Sequence, residues 1–88
     1  MEIINAKELE KSVHNEVKEN KFEKMLSIQM GKIKDNMKMG RNSVVWVFSD
    51  IEYYHNDLEK SWFKEFDERA KVLFEDAGYK INSIVIRW

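Results

Sequence analysis

The sequence predicts a small single-domain α/β (or α+β) protein in the order α(α)-β-α-β. Three observations lead there. Ser43 to Phe48 (Ser-Val-Val-Trp-Val-Phe) is an unbroken run of β-branched and aromatic residues, closed by turn-type residues on both sides. A long Lys- and Glu-rich stretch of helical character precedes it, and the chain contains no proline. An amphipathic helical pattern and a second apolar run follow it.

The helical region is expected over 5–39, with Asn5 able to cap a helix that starts at Ala6. Its apolar residues fall at Leu9, Val13 and Val17, then at Phe22, Leu26, Ile33 and Met37. Spacing is three or four within the first set but five from Val17 to Phe22, so the stripe rotates there. One helix would be ~50 Å long at ~1.5 Å per residue, more than an 88-residue globule covers. A break or kink near Asn20 is therefore expected, and a continuous helix would call for a second chain. Gly40, directly after Lys38-Met39, suits a left-handed helix stop.

The first strand is expected over 43–49. Asn56-Asp57-Leu58-Glu59 resembles a capping box and opens a helix over 57–77. Leu58, Trp62, Phe66, Leu73 and Ala77 share one face of it, widened by Phe63, Ala70 and Phe74, and Gly78 ends it. Residues 79–88 read as a single second strand. Strand, helix, strand is long enough for a right-handed parallel crossover. Two strands are not a stable sheet, so a homodimer or higher oligomer is expected to complete it.

Composition excludes several classes. Without cysteine there is no disulfide framework, thiolate metal site or thiol nucleophile. Fifteen basic against sixteen acidic side chains lack the basic excess that drives sequence-independent nucleic-acid binding. No apolar run reaches the ~18 residues of a membrane span, and no signal-peptide core is present, so a cytoplasmic protein is expected.

Gly78-Tyr79-Lys80-Ile81 and the terminal Ile86-Arg87-Trp88, behind a Lys/Glu-rich N-terminal helix, resemble a loose group of small accessory proteins from phages and prophages of Gram-positive bacteria. Arg87 departs from the serine usual there, and the short tail leaves little room for a final hairpin. The resemblance implies a phage origin, hence a host bacterial cytoplasm, and an accessory role; it supplies no catalytic residues.

Asp50, Glu52, His55 and Asp57 are the densest set of potential metal ligands, but end-of-strand and helix-start roles explain them more simply. No nucleophile motif is present, and neither an enzyme nor a cofactor is expected. Tyr53, Tyr54 and His55, with acidic Asp50, Glu52 and Asp57, lie in a connection where aromatics often serve interfaces. The expected function is a non-enzymatic interaction protein that binds and modulates a host protein, for example by inhibiting a defence or replication component. Lys32, Lys34, Lys38 and Arg41 offer the alternative of a nucleic-acid-binding accessory protein, or of a nucleotide-signal sponge at a subunit interface.

Overall fold

The computed structural model describes residues 3–88 and shows an α+β domain. Helix α1 (Ala6–Lys38) leads into β1 (Ser43–Val45) and two 3-10 turns, Val47–Ser49 and Ile51–Tyr53. Then come α2 (Asp57–Lys60), α3 (Phe63–Asp76), β2 (Lys80–Asn82) and β3 (Val85–Arg87). The sheet order is β1-β3-β2 and both pairings are antiparallel. No helix among the described residues is long and apolar enough to cross a membrane.

The punctuation read from the sequence is in place. Asn5 caps α1 by accepting the Glu8 N–H at 2.9 Å. Gly40 and Gly78 take φ of 76° and 97°, and the N–H of the residue after each donates five positions back, Arg41 to Asn36 and Tyr79 to Phe74. Both glycines thus close Schellman-type stops that a Cβ would strain.

Four expectations are corrected. First, α1 does not break near Asn20. No residue there ends a helix, and three ion pairs hold this stretch against the rest of the chain. Lys18 meets Glu65 at 3.1 Å, Arg69 grips Glu19 at 2.7 Å, and Lys21 meets Glu59 at 3.0 Å. The Arg69 guanidinium also lies 4.1 Å from the centre of the Phe22 ring.

Second, the run at 43–49 pairs as a strand only to Val45. The Ser49 N–H and hydroxyl both bond the Trp46 carbonyl, and the Asp50 N–H bonds that of Val47, which coils the chain inward. Trp46, Val47 and Phe48 are nevertheless fully buried.

Third, the 57–77 helix is interrupted at Ser61-Trp62. The Trp62 N–H bonds three residues back to Glu59, and the Ser61 hydroxyl bonds the Leu58 carbonyl. The core face becomes Trp62, Phe66, Ala70 and Phe74, leaving Leu58 and Leu73 exposed.

Fourth, residues 79–88 form a hairpin and not one strand, and β1 meets it antiparallel rather than through a parallel crossover. Lys80 pairs with Arg87 and Asn82 with Val85 across a two-residue loop. Ser83 has φ of 58°, the positive value that a type II′ turn needs at its first loop residue. The short tail does hold a hairpin, and one chain supplies all three strands. Gly78 and Ile86, within the two C-terminal motifs, are a helix stop and a buried strand residue.

The core is aromatic. Phe66 sits at its centre, edge-on to Phe22 at 5.1 Å, stacked on Trp62 at 5.6 Å and 6.1 Å from Tyr54. The Trp46 indole N–H donates to Asp67 at 2.7 Å, and Lys71 holds the other Asp67 oxygen at 2.8 Å.

Among the described residues, one polar side chain is fully buried. Gln29 of α1 donates to the Val45 carbonyl at 3.1 Å and accepts the Val47 N–H at 2.9 Å. Trp46 faces the other way and bonds Ile84. The two Gln29 bonds therefore satisfy groups that a further strand would take up on the outer edge of β1.

Candidate functional site

Folding brings the connection after the core run against the middle of α1. Asp50, Glu52, Tyr53 and His55 line one cleft with Lys21, Lys24, Met25 and Ile28, enclosing about 340 Å³. The 3-10 turn Ile51–Tyr53 sets this arrangement: Asp50 accepts the Glu52 N–H at 3.0 Å, fixing the loop that presents Glu52 and Tyr53. Lys21 and Lys24 reach the cleft from α1, one turn apart.

The capping box at α2 forms the neighbouring wall. Asn56 accepts the Glu59 N–H at 2.8 Å, and the Glu59 carboxylate turns back to take the His55 N–H at 3.0 Å. The same carboxylate holds Lys21. Partial burial opposes ionisation of Glu59, but the His55 N–H and the Lys21 ammonium outweigh it and hold the carboxyl below its usual range. A carboxylate depressed on folding contributes stability that is fully present above its unfolded pKa and lost as pH falls through the folded one. Glu59→Gln is therefore expected to reduce the loss of stability on acidification below ~pH 4. Urea midpoints at pH 7 and pH 3 check this: their difference should be smaller in the variant.

Two residues expected at the site lie elsewhere. Tyr54 is buried: its ring packs 5.2 Å from Phe63, and its hydroxyl donates to the Phe48 carbonyl at 3.1 Å. Burial, reinforced by the charge on Asp67, pushes its phenol pKa well above the ordinary range. The 3-10 turn ends at Tyr53 and Tyr54 continues in extended backbone, so the two side chains leave in different directions: Tyr53 lines the cleft while Tyr54 enters the core. Asp57 is exposed in the first turn of α2 and does not line the cleft.

The basic segment does not converge either. At ~100° per residue, Lys34 and Lys38 share a helix face, but Lys32 lies ~160° away from Lys34. Arg41 lies beyond the helix and donates to the Asn36 side chain at 3.3 Å. Among the described residues, no three His, Asp or Glu side chains gather closely enough to hold a metal ion.

Lys21 and Lys24 are the residues that sequence reasoning missed. On a helix rich in lysine and glutamate they look like ordinary solvated charges, and only the docking of α1 singles them out. The cleft combines an apolar floor, an aromatic ring, two cations and two carboxylates, a mixture suited to a peptide segment carrying both charge signs. The chain matches no family model, and comparisons with curated proteins and with solved structures return no match.

Proposed function

We propose that this protein is a small non-enzymatic interaction protein, encoded by a phage, that binds and modulates a host protein in the bacterial cytoplasm. The observation that carries the reading is the convergence of Asp50, Glu52, Tyr53 and His55 with Lys21 and Lys24 in one cleft. Tyr53 is half-buried, so much of its ring is already ordered before a partner arrives. Asp50 and Glu59 have structural duties as caps, which leaves Lys24, Glu52, Tyr53 and the His55 ring to meet the partner. The resemblance of the C-terminal motifs to phage accessory proteins supports the origin and the accessory role.

The test is affinity capture from bacterial lysate by the wild-type protein and by a Tyr53→Ala/Lys24→Glu variant of unchanged circular dichroism. A protein retained by the wild type and reduced at least ~10-fold with the variant, a loss typical of removing an interface anchor, is expected. Equal retention by both proteins would remove the cleft from the reading.

A further inference from the structure

The outer face of α1 is unexplained by the domain it belongs to. At ~100° per residue, Leu9, Val13 and Val17 lie roughly 160–170° around the helix from Phe22, Met25 and Ile33, which enter the core. The globule cannot cover them, and each remains about half exposed, at 50, 46 and 45%. The same face continues past the ion pairs through Asn20, Lys24, Ser27 and Gly31, all exposed.

Gly31 is the sharper anomaly. Glycine inside a helix costs ~1 kcal/mol relative to alanine. Yet a Cβ built at Gly31 meets nothing within 4 Å, so the single chain gives no reason to omit one. Close approach of another helix would supply the reason.

Charge along this face is divided by position. Glu10 and Glu16 flank the apolar N-terminal half, whereas Lys24, Lys34 and Lys38 mark the C-terminal half, opposed only by Asp35. A parallel copy would set Glu16 on Glu16 and Lys24 on Lys24. An antiparallel copy sets unlike charges together.

We infer that α1 pairs antiparallel with α1 of a second copy through this outer face, centred on Asn20. In that register Leu9 seats on the partner's Gly31, Val13 on the partner's Ser27, and Glu16 meets the partner's Lys24. Bulky residues fall on small ones at both ends, and a central asparagine faces its own copy, a feature that can fix helix register. The two domain bodies sit on opposite outer sides and do not collide. A strip ~50 Å long and ~10 Å wide covers about 500 Å² per partner, so the pair buries on the order of 1,000 Å². That is the lower limit for a specific interface, and it points to a dimer that dissociates in the micromolar range. The pairing rests on α1 alone, but it brings the partner's Glu16 to the rim of the cleft at Lys24.

Sedimentation equilibrium over a dilution series tests this, with thermal melts to confirm the fold of each variant. Wild type is expected to be a dimer at high concentration. Val13→Glu and Gly31→Leu should each weaken it at least ~10-fold. Both sites are open in the single chain, so their folds should survive. Glu16→Lys and Lys24→Glu should each weaken the dimer, and combining them in one chain should restore it, because each then meets the opposite charge again. A wild type that stays monomeric near 1 mM, about a thousandfold above the expected dissociation constant, overturns the inference. So does a dimer indifferent to Gly31→Leu, or a double variant no better than either single one.

Discussion

Replacing Gln29 with methionine is expected to lower stability by about 2–3 kcal/mol, although side-chain length and volume barely change. Its amide satisfies two backbone groups on the outer edge of β1, the Val45 carbonyl and the Val47 N–H. Val47 is fully buried, so its N–H has no water to turn to and bears the full desolvation cost; Val45 is partly exposed and bears less. For a domain of this size each kcal/mol shifts the melting temperature by ~4–8 °C, so a fall of at least ~8 °C is expected in a thermal melt. Gln29→Glu separates the two bonds. It keeps an acceptor for Val47 but sets a buried carboxylate against the Val45 carbonyl. Its penalty should exceed that of methionine at pH 7 and shrink in acid, where the protonated carboxyl can donate again. A melting temperature within ~2 °C of wild type for the methionine variant, well under 1 kcal/mol, would refute the strand-mimicking role.

Phe66→Ala should cost more, about 3–5 kcal/mol. The ring of this α3 residue is fully buried where α1, the loop and the α2–α3 junction meet, against Phe22, Tyr54 and Trp62. Those three partners belong to three separate segments, so no single movement can close the cavity. A domain of this size has only ~5–15 kcal/mol in total, and the variant is expected to be partly unfolded at 37 °C. Urea titration should show a large drop in midpoint. Phe66→Leu, which keeps most of the volume, should recover more than half of the loss. A midpoint near wild type for Phe66→Ala would mean that the aromatic centre is not where the stability resides.

Signals of one or two residues with a fixed conformational meaning were legible in the sequence. Asn5 and Asn56 cap helices, Gly40 and Gly78 end them, and Ser43 to Phe48 contains the densest part of the core. What escaped depends on tertiary context. The hairpin turns on Ser83-Ile84, a pair with weak turn chemistry, and the flanking strands hold Ser83 at its positive φ. Gln29 reads as a solvated residue until β1 is seen to need it. The interruption at Ser61 lets the Trp62 ring stack on Phe66, a packing effect that helical periodicity alone does not show.

At the site, the connection with its mixed aromatic and charged residues was visible, and four of its six candidate residues line the cleft. That Tyr54 is buried while Tyr53 lines the cleft depends on turn geometry, which composition does not encode. Lys21 and Lys24 needed the docked helix. The notch at Gly31 could have been suspected from the sequence, since glycine in an otherwise unbroken helical pattern asks for a cause.

In geometry α1 is one helix; in energetics it is two. From Phe22 to Ile33 its turns are tied to the core, so backbone amides there open to hydrogen exchange only when the domain unfolds. Ahead of Lys18, among the described residues, every side chain is exposed and only helix propensity and the Asn5 cap resist unwinding. Twelve helical residues alone are marginal in water, so in an isolated chain this arm frays at little cost. The changeover falls within about one turn, where Lys18, Glu19 and Lys21 meet their partners. A single unbroken backbone ladder therefore runs from near zero to the full stability of the domain.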